Sequence, residues 1–275
     1  MAVTQLRWAT ALDGERIAYE VRAERQPAPA VLALHGVLVG ASNWIHQVLR
    51  LPDLRWIVPH LRGHGLSPPP VRGQTIEAAA YDALAVLDAE GIERSVVLGN
   101  SLGATVGLAL ALLRPDRVRA MVLVEASVPS LVAEPGKQRL RESATKTREL
   151  LAAGRINDAL ALFLVPRLGE DWERRAGRRR IAEWRRNIVS VPAWIDAVLA
   201  YDPSPVALAL LDCPTLLVYG AETQRSYREM TLVLAELLPA AELIEVAKAG
   251  HGVPADNPDA FNAILVSFLD QLGVR

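Results

Sequence analysis

Short apolar runs alternate with longer helix-forming stretches along most of this chain, and few folds accommodate that pattern. Val31-Leu32-Ala33-Leu34, Arg55-Trp56-Ile57-Val58, Ser95-Val96-Val97-Leu98, Val118 to Val124, Thr215 to Tyr219 and Leu243 to Val246 each read as a buried strand. Between them lies a helix from Thr75 to Glu90, with Ile76, Ala80, Leu84 and Leu87 on one face and Gly91 as its stop. A second helix follows Ser101 and ends at Pro115, and others span Gln224 to Leu238 and Pro258 to Leu272. The last places Phe261, Ile264, Leu265, Phe268 and Leu269 in one stripe, as a helix packed on a sheet would. Such alternation predicts a mostly parallel sheet covered on both faces. Ahead of it, β-like runs near Leu6–Thr10 and Arg16–Val21 flank Asp13-Gly14, a hairpin signal that adds an antiparallel edge.

From Ala126 to about Asp212 the alternation stops. This stretch is almost all helix-forming, broken by Pro135-Gly136, Gly154, Pro166, Gly169, Pro192 and Pro203. It reads as an insertion between the two halves of one sheet. The expected organisation is therefore an α/β core from residues 1–126 and 212–275, with residues 127–211 inserted as a helical block.

The 275 residues are 51% hydrophobic and 22% charged, enough for a sizeable core. A formal net charge of −1 provides no global field for nucleic acid or an anionic membrane, so neither is expected as a partner. The single cysteine, Cys213, excludes an intrachain disulfide and a thiolate zinc cluster, and reads as a small buried residue. Met1 to Arg7 shows no signal-peptide pattern, and no apolar stretch approaches the roughly 18 residues of a membrane span. The expected setting is the cytoplasm.

Gly99-Asn100-Ser101-Leu102-Gly103 joins a strand to a helix, and a serine with glycine two residues away on each side at such a junction is the nucleophile-elbow pattern. The helix start directs free N–H groups at whatever the serine attacks. A serine hydroxyl needs a base. Of five histidines, His251 in Ala249-Gly250-His251-Gly252 follows the last strand, and loops at the carboxyl ends of parallel strands share one edge. His251 is the expected base. His35, in Leu34-His35-Gly36-Val37, suits a turn donating backbone N–H groups and reads as structural, with Val37 joining Leu102 as oxyanion donor. His64, in Arg62-Gly63-His64-Gly65-Leu66-Ser67, reads as bracing a loop, while His46 and His60 have no supporting context.

Four motifs in order carry a resemblance: His35-Gly36, Arg62-Gly63-His64-Gly65-x-Ser67, Gly99-x-Ser101-x-Gly103 and Ala249-Gly250-His251. Over nearly its whole length the chain resembles α/β-hydrolase-fold proteins. The resemblance implies an eight-stranded sheet, a helical cap over the site and a Ser–His–acid triad, without metal or organic cofactor. The family usually has Asp before Arg62-Gly63, where this chain has His60-Leu61.

The acid departs further. The family's common position, three residues after Gly220, is Thr223, which carries no charge. Glu222 stands one residue away in that loop, and Glu125 ends the strand after the nucleophile helix, in Leu123-Val124-Glu125-Ala126. Haloalkane dehalogenases and fungal zearalenone lactonases resemble the second layout. Glu125 is favoured, because a carboxylate fixed at the end of an apolar strand needs a partner; Glu222 remains the alternative.

Ser101 argues against dehalogenase and epoxide hydrolase chemistry, which need a carboxylate nucleophile; Leu102 also offers no side-chain N–H to a halide. In the inserted block, Arg174, Arg175, Arg178, Arg179, Arg180, Arg185 and Arg186 read first as a solvated face interleaved with Glu173 and Glu183, and second as a site for an acidic substrate or partner. Trp172, Trp184 and Trp194 either line an apolar pocket or staple the block to the core. The expected function is hydrolysis of a small, largely apolar carboxylic ester or lactone. The alternatives are C–C bond hydrolysis with the same triad and a ligand-binding receptor with little turnover.

Overall fold

The computed structural model describes residues 4–22 and 28–274. Eight strands form one sheet: β1 (Gln5–Thr10), β2 (Arg16–Arg22), β3 (Ala30–Leu34), β4 (Arg55–Pro59), β5 (Ser95–Asn100), β6 (Val118–Val124), β7 (Thr215–Gly220) and β8 (Ala241–Val246). Their spatial order is β1-β2-β4-β3-β5-β6-β7-β8. β2 runs antiparallel to β1 and β4, and every later pairing is parallel. The hairpin turns at Asp13-Gly14, with Thr10 opposite Arg16 and the Gly14 N–H donating to Ala11 O at 3.0 Å.

Eleven helices of α type are described: α1 (Ile45–Arg50), α2 (Ile76–Ala89), α3 (Leu102–Leu113), α4 (Glu134–Ala152), α5 (Ile156–Leu168), α6 (Trp172–Asn187), α7 (Val191–Ala200), α8 (Pro205–Ala209), α9 (Arg225–Leu237), α10 (Val253–Asp256) and α11 (Pro258–Gln271). Side chains alternate across the central strands, which explains why those strands read as continuous apolar runs. Leu32, Leu34 and Val97 face α2 and α3, whereas Val31, Ala33, Val96 and Leu98 join Trp44, Phe261, Leu265 and Leu269 on the other side. The expected stripes hold: Ile76, Ala80, Leu84 and Leu87 are buried, and Ile264 alone of the α11 stripe is only partly covered. Thr75 is the N-cap of α2, its hydroxyl accepting from the Ala78 N–H at 3.0 Å. Cys213 is buried, and burial pushes its thiol up to about 11.

Between β6 and β7 the chain forms α4 to α8. Ala144, Leu160, Phe163, Leu164, Trp172, Trp184 and Ile188 make a separate apolar cluster there, joined by Leu38 from the loop after β3. Trp194, Ala197 and Tyr201 of the same stretch instead pack into the core beside the sheet. Gly177 interrupts α6 with φ of 73°. Among the described residues, no helix is long and apolar enough to cross a membrane.

Candidate active site

β5 ends at Asn100 and α3 begins at Leu102, leaving Ser101 as the one-residue turn between them with φ 54° and ψ −117°. A non-glycine residue there is strained, at a cost of order 1–3 kcal/mol that the surrounding structure must offset. The flanking glycines are steric requirements. A Cβ on Gly103 would lie 2.1 Å from the Leu34 carbonyl oxygen, and one on Gly99 would lie 2.5 Å from Ala104 Cα. The Ser101 N–H donates to Val124 O at 2.8 Å, tying the turn to β6.

His251 lies in the loop after β8. Its Nε2 is 3.0 Å from Ser101 Oγ, and its Nδ1 is 2.6 Å from Glu125 Oε2. Glu125 caps the end of β6 with φ 47° and is fully buried. Its Oε1 accepts the Gly220 N–H at 2.9 Å, and its Oε2 also accepts the Thr223 hydroxyl at 2.7 Å. The residue standing where the family commonly has its acid therefore donates to a carboxylate supplied from β6. Glu222 is exposed, and no contact joins its carboxylate to His251 among the described residues.

Val37 and Leu102 sit beside Ser101, all three bordering one small crevice. Leu102 is the first residue of α3, so its N–H has no acceptor within the helix. The loop carrying Val37 is braced by two histidines. His35 is fully buried; its Nδ1 lies 2.8 Å from Gly36 O, and its Nε2 accepts the Leu61 N–H at 3.1 Å. His64 Nε2 accepts the Leu38 N–H at 3.1 Å, with Nδ1 3.1 Å from Arg62 O. Both rings must be neutral to accept in this way. Burial holds His35 well below the usual imidazole range and pushes His64 down to about 4. Arg62 in turn is buried against Asp82, its Nε 2.7 Å from Oδ2.

A cavity of about 130 Å³ opens beside Ser101 and His251, walled by Val37, Leu38, Phe163, Leu164, Leu168 and Trp184, with Arg167 and Arg180 among its polar lining. The three tryptophans divide. Trp184 lines this cavity, and Trp194 lines the crevice at Ser101 while its Nε1 donates to Arg62 O at 2.9 Å. Trp172 stands behind Trp184, ring centroids 6.0 Å apart. The seven arginines of the block are all exposed.

Two residues at the site escaped the sequence reading. The Tyr227 ring stacks on His251, centroids 3.8 Å apart and planes 20° from parallel. Arg167 Nη2 donates to the Tyr227 hydroxyl at 3.1 Å. Tyr227 is one of several buried residues on an amphipathic helix, and Arg167 reads as an ordinary basic residue in a helix's last turn, so neither carries a local signal.

A family model described as alpha/beta hydrolase fold matches residues 29–258. RutD of Caulobacter segnis, provisionally named a carbamate hydrolase, is 31% identical over 92% of this chain and 96% of its own length. The 2-hydroxymuconate semialdehyde hydrolase of Pseudomonas sp. strain CF600 is 27% identical, covering 87% of this chain and 86% of that protein. Among solved structures, the enol-lactonase of Burkholderia xenovorans LB400 superposes with a TM-score of 0.79 at 25% identity, covering 96% of this chain and all (100%) of the other.

Proposed function

This chain belongs to the alpha/beta hydrolase fold family, and from that premise we propose that it is a serine hydrolase cleaving a small, largely apolar carboxylic ester or lactone through an acyl-enzyme. One observation carries the reading: the unbroken line from Ser101 Oγ through both ring nitrogens of His251 to Glu125. Ser101 attacks the carbonyl carbon as His251 Nε2 takes its proton. Glu125 fixes the tautomer with hydrogen on Nδ1 and stabilises the imidazolium. The Val37 and Leu102 N–H groups hold the oxyanion. His251 returns the proton to the leaving alcohol, then takes one from water, whose hydroxide oxygen releases the acid and restores Ser101. Residues 127–211 act as a cap, with Trp184 and Trp194 on the pocket side and Trp172 supporting Trp184.

C–C bond hydrolysis is the second reading, favoured by the relative named for 2-hydroxymuconate semialdehyde; it would use the same three side chains. Steady-state assays on aryl esters, lactones and vinylogous diketones separate the two, with labelling by a fluorophosphonate probe as the measure of Ser101 reactivity. Ser101→Ala is expected to lower turnover by about 10⁴-fold or more and abolish labelling. Full activity in that variant overturns the mechanism.

A further inference from the structure

Arg167 lies half-buried in the last turn of α5, with its guanidinium over the Phe163 ring at 3.9 Å from the centroid. Nη1 donates to Phe163 O at 2.6 Å, and Nη2 donates to the Tyr227 hydroxyl. Both acceptors are neutral. Among the described residues no carboxylate pairs with this cation, and its buried Nε has no acceptor. A partly buried guanidinium without a counter-ion, with one nitrogen left unpartnered, favours an anion beside it, and its planar fork matches a carboxylate edge. Arg167 borders the cavity at Ser101 and His251, the crevice at Ser101 and Leu102, and a further cavity of about 250 Å³ beside Ser127.

The approach to the site is basic as well. Arg180 lines both the inner cavity and an outer groove, which it shares with Arg22, Arg175, Arg179 and Arg186. Five arginines in that groove face two carboxylates, Glu20 and Glu183, so its excess charge is positive. Glu20 pairs with Arg22 at 2.6 Å, and Glu183 accepts the Ser42 hydroxyl at 2.9 Å. The one carboxylate on the inner wall, Asp256, accepts the Gly250 N–H at 3.0 Å.

We propose that the substrate is an ester or lactone with an apolar body and one carboxylate, that Arg167 binds this carboxylate, and that the arginine groove guides it inward. The inference rests on the reading of Ser101 as nucleophile. It also gives the Arg-rich segment of α6 a function beyond solvation. An anion on Arg167 further offsets a positive charge that otherwise stands one aromatic ring from the imidazole that must become cationic.

The test compares p-nitrophenyl hexanoate with mono-p-nitrophenyl adipate, in which a carboxylate replaces the terminal methyl of an acyl chain of the same length. At low salt the adipate ester is expected to have a kcat/KM about 10- to 100-fold higher, mainly through KM, the range of a charge-assisted hydrogen bond. Arg167→Gln is expected to bring that ratio close to one, and Arg167→Lys to keep part of it. Arg180→Gln is expected to lower the ratio by about 2- to 5-fold, an effect that fades in high salt. A wild-type ratio near one, or a ratio unchanged in Arg167→Gln, overturns the proposal. If Arg167→Gln does not fold, Arg167→Lys decides: an unchanged ratio at every salt concentration overturns it. Calorimetric binding of adipate itself needs no turnover. Wild type and Ser101→Ala are expected to bind it alike, and Arg167→Gln about 10-fold or more weaker. No binding to wild type overturns the carboxylate site. Absent hydrolysis with retained Arg167-dependent binding overturns the serine mechanism instead.

Discussion

At the carboxyl edge of the sheet Glu125, His35 and His64 already have hydrogen-bond partners, whereas the helical block facing them presents side-chain donors that lack them. Glu125 takes three hydrogen bonds, and His35 and His64 each accept a backbone N–H. Opposite, Arg167 Nε and Trp184 Nε1 are buried without acceptors. The edge is built on strand ends whose neighbours are locked by packing; the block is built on helices, one of them interrupted at Gly177. Bond-breaking groups gain from being rigid before substrate arrives. Recognition groups gain from holding capacity that only the substrate fills. On the mechanism proposed above, this difference puts reaction chemistry at the edge and specificity in the block.

The sharpest way to break that division is at the carboxylate. Glu125→Gln keeps the shape and removes the charge that fixes the His251 tautomer. It is expected to lower kcat by about 10³- to 10⁴-fold on a simple aryl ester, with KM little changed. Glu222→Gln is expected to stay within about 3-fold of wild type. Reversal of the two results would move the acid to the exposed loop.

The same division explains what the sequence could tell. Central strands were legible because burial on both faces leaves runs such as Ser95-Val96-Val97-Leu98. The edge strand β8 is largely exposed, so its first residues, Ala241 and Glu242, lacked an apolar signal and the expected start fell at Leu243. The meeting of Ser101 and His251 is legible because strand-end loops in a parallel sheet share one edge and steric demands leave glycines beside the serine. A carboxylate ending an apolar strand needs a partner, which is what singles out Glu125 in the sequence, and the structure gives it three donors. Tyr227 and Arg167 were illegible because their importance arises from how α9 and α5 meet across the site. Trp172, Trp184 and Trp194 lie close in sequence but face different surroundings.

Rigidity of the edge should depend on pH. His64 titrates near 6.5 when unfolded and about 4 when folded, so between these values the unfolded chain binds more protons. The stability it contributes is present above pH 6.5 and is lost as pH falls through about 4, worth about 3 kcal/mol at most. Denaturant unfolding between pH 7.5 and 4 should show this fall, less steeply in His64→Gln. Equal slopes in both proteins would mean that bracing by His64 does not set the pH response.

Tyr227 belongs to both regions, with its ring on His251 and its hydroxyl on Arg167. Tyr227→Leu removes the stacking and is expected to lower kcat by about 3- to 10-fold, in line with the 0.5–1.5 kcal/mol of an aromatic pair. Tyr227→Phe keeps the ring on the imidazole, so its effect should appear in KM through Arg167. Equal kcat losses in both variants would show that the hydroxyl, and hence the block, takes part in the chemical step.

Thr223 tests the edge most finely, because its hydroxyl gives one of the three hydrogen bonds that hold Glu125. Thr223→Val preserves the shape of the side chain and leaves Glu125 with the Gly220 N–H and His251. The remaining bonds still fix the carboxylate, and the Nδ1–H tautomer is unaffected. The expected loss in kcat is therefore about 2- to 5-fold, near the 0.5–1.5 kcal/mol net value of one hydrogen bond and far below that of Glu125→Gln. A loss as large as that of Glu125→Gln would mean that the hydroxyl and the carboxylate act as a single unit. The acid would then be shared between the end of β6 and the loop after β7, and the edge would owe its charge to one strand and its alignment to another.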